Sequence, residues 1–67
     1  MKPLTYRQVA EILRANGFRP VKSVGSHFKW RNDAGCSIPV PNHGTRPLKQ
    51  GTLLSIFRLA GIKPPTR

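Results

Sequence analysis

Apolar positions follow two rhythms along this chain. Near its start, Tyr6, Val9, Ile12 and Leu13 recur at the spacing of one helix face, and Arg7 and Arg14 fall off that stripe. Thr5 can cap this helix, with Gln8 three residues later completing a capping box. Leu4 and Val9 are placed to staple its first turn. Asn16-Gly17 is a stop signal, because glycine readily takes the left-handed conformation that ends a helix. The predicted helix covers residues 6–16. A second one runs from Lys49 or Gln50 to Ala60, with Leu53, Ile56, Phe57 and Ala60 on one face and Leu54 and Leu59 flanking it. Gly61 closes it, and Pro64-Pro65 prevents its continuation.

Between the helices the rhythm shortens to two. Residues 18–24 carry Phe18, Val21 and Val24 among polar neighbours, and Pro20 confines this run to an edge or irregular strand. Gly25-Ser26 makes a tight connection or a bulge. His27–Arg31 is the clearest strand. Its alternation puts Phe28 and Trp30 on one side and His27, Lys29 and Arg31 on the other. Asn32 to Gly35 is a turn, which predicts a hairpin returning through Cys36 to Val40, with Cys36, Ile38 and Val40 sharing a face. Pro39 places that strand where no ladder donor is needed. Pro41 to Pro47 is a loop by composition.

The order is therefore α-β-β-β-α. The expected fold class is α+β, a three-stranded antiparallel sheet with two helices on one face, packed against Phe28, Trp30, Ile38 and Val40. Trp30 is assigned to the core rather than to a base-stacking role, because it alternates in phase with Phe28 and large aromatics dominate small cores. One domain is expected over residues 1–67, with an ordered core at about 4–62 and a tail at 63–67.

Charge changes this picture from a fold to a function class. Twelve Lys and Arg against two Asp and Glu give a formal net charge of +10. Such an excess calls for a polyanionic partner: nucleic acid, an anionic membrane or an acidic protein. The membrane is disfavoured, since no apolar run reaches the ~18 residues of a span and Met1 to Thr5 lack the apolar core of a signal peptide. The single cysteine, Cys36, cannot form an internal disulfide, which fits a reducing compartment. It is read as a small buried hydrophobe in a strand. One Cys, two His and two carboxylates are too few for a four-ligand metal site, so no metal and no cofactor are expected.

The residues can support RNA cleavage without a metal. RNA carries its own nucleophile, the 2′-OH. Cleavage needs that proton removed, charge on the phosphorus oxygens stabilised, and the leaving 5′-oxygen protonated. An unperturbed imidazole titrates near neutral pH and can do either proton transfer. From these residues His27 is either an exposed histidine without a role or the catalytic candidate, as general base, general acid or both in turn. Lys29 and Arg31 share its face and can bind phosphate and stabilise developing charge. His43 is a second acid–base group, a phosphate ligand or a locally bonded loop residue. Ser26 orients the histidine, contacts a phosphate, or simply serves the turn beside Gly25. Lys22, Arg46 and Lys49 are candidates for tracking an RNA backbone, Lys49 together with the free amides at the start of the second helix.

Three segments in order carry a family resemblance: Gly25-Ser26-His27, then Ile38-Pro39-Val40-Pro41-Asn42-His43-Gly44, then Leu48 to Phe57 followed by Ala60-Gly61-Ile62. The element order resembles the double-stranded-RNA-binding domain. The segments resemble the HicA family from about Leu4 to Ile62. That resemblance implies a toxin of a prokaryotic type II toxin–antitoxin pair, a metal-independent endoribonuclease that cuts mRNA and stops translation in the cytoplasm. It maps the family's catalytic histidine onto His27. It also implies a HicB-type antitoxin that masks this histidine in an inhibitory complex, with operator DNA reached only through the antitoxin. The alternative is a non-catalytic RNA-binding module on the same fold. A DNA-binding regulator is a weaker reading, since the second helix is Leu-rich with a short polar face, and an interaction protein for an acidic partner is a further alternative.

Overall fold

The structure is a computed structural model, and it describes residues 3–25 and 27–63. The elements are α1 (Tyr6–Ala15), β1 (Arg19–Val24), β2 (His27–Arg31), β3 (Ser37–Pro41) and α2 (Gln50–Ala60). They form one antiparallel sheet in the order β1-β2-β3, as the sequence leads one to expect. Ser26 and residues 64–67 of the expected tail lie outside the described residues.

Local chemistry sets the helix ends. The Thr5 N–H donates to Gln8 Oε1 at 2.9 Å, and the Gln8 N–H donates to Thr5 Oγ1 at 3.4 Å, closing the capping box. At the far end of α2, Gly61 has φ +70°. This lets the Ile62 N–H reach back to the Phe57 carbonyl at 3.0 Å. The segment entering α2 is tied to the N-terminus, because the Leu48 N–H donates to the Leu4 carbonyl at 2.8 Å.

Both helices contribute to a single core. Val9 and Leu13 of α1 and Leu53, Ile56 and Phe57 of α2 are buried with Trp30, Ile38 and Val40 of the sheet. Trp30 is fully buried. Its Nε1–H donates to the Tyr6 hydroxyl at 3.2 Å, and the Arg14 guanidinium lies 5.5 Å from its ring centre. Trp30 is thus a core residue with a satisfied polar handle. Cys36 departs from expectation. It is half-buried and precedes β3, because the Asn32 side chain accepts its N–H at 2.8 Å and closes the turn there.

Burying Trp30, Ile38 and Val40 under the helices leaves the opposite face of the sheet open. β2 is the central strand, so its outward residues lie mid-face, flanked on both sides. No helix among the described residues is long and apolar enough to cross a membrane.

Candidate active site

The open face is built from three cross-strand rows. At one end His27 pairs with Val24 and Pro41, next to the β1–β2 turn. In the middle Lys29 pairs with Lys22 and Pro39. At the other end Arg31 pairs with Arg19 and Ser37. Residues opposed across an antiparallel pair project to the same side, so Arg19 and Lys22 join the outward set of β2.

Lys22 reaches this face through an irregularity. Pro20 opposes Trp30 and Lys22 opposes Lys29, which leaves Val21 as an extra residue in β1. In an unbroken strand Lys22 would share Pro20's side. The bulge resets the alternation and turns Lys22 outward.

His27, Lys22 and Lys29 line one shallow depression of about 160 Å³, together with Phe28 and Pro39. The three polar side chains are exposed. Two cations thus flank one imidazole, and no carboxylate is among the lining residues. Among the described residues the only ion pair is Arg19–Asp33, at 3.1 Å. Both partners are largely exposed, so the pair is worth about 0–1 kcal/mol. The Lys22–Lys29 row therefore holds two like charges with no counter-ion, an arrangement suited to receiving a phosphate.

The remaining candidates are spread more widely. Arg31 lies in a second depression of about 330 Å³ with Arg19, Val21, Asn32 and Asp33. Lys49 lines a groove between β3 and α2 that shares Pro39 with the His27 depression. There it is the N-cap of α2 without a side-chain cap bond. His43 and Arg46 are exposed in the loop before α2, joined by a bond from the Arg46 N–H to the His43 carbonyl at 3.2 Å. Neither lines the His27 depression. Ser26 lies outside the described residues. Among the described residues, no three His, Cys, Asp or Glu side chains group together to hold a metal ion.

The sequence reading missed Arg19. It lies in a run whose outward residues depend on where the strand bulges; Pro20 marks the run as irregular but not which residue is extra. The only sequence signal was its basic character beside Pro20.

The fold and the open face define a small two-layer α-β-β-β-α domain with a histidine among cations on its sheet. Residues 6–62 match the family model described as the HicA toxin of bacterial toxin–antitoxin systems. The match spans most of the chain, which therefore belongs to the HicA toxin family. It is the toxin of a toxin–antitoxin pair, and an antitoxin is its partner. A search among curated proteins returned no match.

Proposed function

We propose that this chain is an endoribonuclease that cleaves mRNA without a metal ion and so inhibits translation, with His27 as its catalytic residue. The observation that supports it is the shared depression of His27, Lys22 and Lys29 on an otherwise open, basic sheet face. A phosphodiester laid over the Lys22–Lys29 row has its negative oxygens between two ammonium groups. Its ribose can then reach along β2 toward His27. The imidazole takes the 2′-OH proton as base, returns a proton to the leaving 5′-oxygen as acid, or does both in turn. The two lysines stabilise the charge that gathers on the phosphorus oxygens as the bond breaks. An open face suits a single strand, which must be held by its backbone rather than enclosed.

The same face is the surface a HicB-type antitoxin covers in this reading. An antitoxin with an acidic surface would satisfy the unpaired lysines and exclude RNA together. Operator DNA would then be engaged through the antitoxin.

The depression has one imidazole, and no second histidine and no carboxylate line it. This favours, as the second reading, a module that binds RNA without cutting it. Incubating a long mRNA in EDTA with wild-type protein and with His27→Ala separates the two. Cleavage by the wild type alone, with a loss of about 10² to 10⁴ in the variant, supports the nuclease. Equal cleavage by both removes His27 from the mechanism. Salt-sensitive binding by both without cleavage assigns the binding module.

A further inference from the structure

The far end of the open face differs in chemistry from its centre. Arg19 and Arg31 oppose each other across β1 and β2, and Val21, Asn32 and Asp33 complete the depression around them. Asp33 is one of only two acidic residues in the chain. A subsite built for phosphate gains nothing from a carboxylate in its wall. A subsite that reads a base edge needs donors and an acceptor together.

The geometry points to a nucleobase subsite here, one that prefers guanine flanking the cut. This rests on the ribonuclease reading of His27 and extends it to substrate choice. Guanine offers the acceptors O6 and N7, which suit an arginine fork, and the adjacent donors N1–H and N2–H, which suit both oxygens of a carboxylate. Cytosine and adenine offer a carboxylate only one amino group on that edge, and uracil one ring N–H. The Oδ1 of Asn32 accepts the Cys36 N–H at 2.8 Å, which leaves its amide NH2 as a further donor. Val21 is the bulge residue and 49% exposed. Its branched side chain is an apolar patch beside the polar groups, against which the face of a base can rest.

The Arg19–Asp33 pair is no obstacle to this role. With side chains 70% and 89% exposed, it is weakly held, and a base can insert its donors and acceptors between the partners. Arg31 lies four positions along β2 from His27, about 13 Å on an extended strand. The base held here therefore belongs to a neighbouring nucleotide rather than to the one being cut. The Lys22–Lys29 row lies between them and holds the intervening backbone.

The test uses short single-stranded RNAs of matched length, with and without guanine, methylated at every 2′-OH so that none can be cut. Their affinity is measured for wild type and for Asp33→Asn. Wild type is expected to prefer the guanine-containing RNA at least about fivefold. Asp33→Asn should bind both RNAs more tightly, having lost a negative charge, and lose that preference to within about twofold. Equal wild-type affinity for both RNAs, or a preference that survives Asp33→Asn, overturns the subsite while leaving the nuclease reading intact. No binding of either RNA overturns both. Cut sites mapped on a long mRNA supply an independent readout, with guanine enriched at a fixed offset from the break if the subsite is real and no base enriched there if it is not.

Discussion

Lys22 and Lys29 face one another across β1 and β2, and Val21 is the extra residue that puts them there. Like charges directly opposed on a sheet are destabilising. Arg19 and Arg31 oppose each other in the same way, but Arg19 has Asp33 within 3.1 Å. The lysine row has no such relief among the described residues. A fold under selection for stability alone has no use for it, and the polyanion proposed as this protein's substrate would account for it.

That relationship predicts opposite effects on stability and binding. Lys29→Gln or Lys22→Gln should raise unfolding stability by about 0.2–1 kcal/mol, read from urea denaturation. The same variant should weaken RNA binding and flatten its salt dependence, by about 0.7 in the log–log slope for each phosphate no longer neutralised. A lysine variant that leaves the salt slope unchanged would show that the row does not touch the backbone.

His43 does not line the depression that holds His27. His43→Ala should therefore cleave within about threefold of wild type, a change too small for a missing proton-transfer group. Lys49 lines the adjoining groove that shares Pro39. Lys49→Ala should raise KM with kcat unchanged, as expected when a residue binds substrate and transition state equally. A fall in kcat for His43→Ala as large as that for His27→Ala would mean the loop swings onto the sheet when RNA binds.

Much of this arrangement was legible in the sequence because it rests on local rules. The Thr5–Gln8 capping box, the Gly61 stop and the alternation of His27–Arg31 each follow from chemistry within a few residues, and the structure keeps all three. Trp30 could be assigned to the core from its phase alone. What could not be read depends on pairing. A bulge is a property of two strands in register, so one strand's sequence did not reveal that Lys22 turns outward or that Arg19 joins Arg31. For the same reason His43 and Arg46 could be named as candidates but not placed, since a loop's path is set by what it packs against.

The Trp30–Tyr6 bond predicts a stability effect far from the basic face. Tyr6→Phe keeps the ring but removes the hydroxyl that accepts from Trp30 Nε1. An indole N–H left without its partner costs about 1 kcal/mol here, since Trp30 is fully buried but the Tyr6 side of the bond is only partly so. That should lower Tm by about 4–8 °C in a domain of this size. Trp30 is the chain's only tryptophan, so its fluorescence reports the transition directly. An unchanged Tm would mean that another group takes over as acceptor.

In the proposed mechanism, Gly25 would couple the hairpin to the chemistry of His27. It has φ +61°, and a Cβ built on it meets nothing within 4 Å, so backbone conformation rather than crowding is what favours glycine. Val24 pairs with His27 across this turn, so the turn sets where the imidazole starts out on the sheet face. Gly25→Ala should cost about 1 kcal/mol of stability through the left-handed conformation. If the turn relaxes to relieve that strain, His27 shifts and cleavage falls by far more than the loss of folded protein explains, since small misplacements of a catalytic group are costly. The measurement is kcat beside the folded fraction at the same temperature. A kcat that falls only in proportion to folded protein would show that the turn serves stability alone. A kcat that collapses while the fold persists would establish the turn as what positions His27.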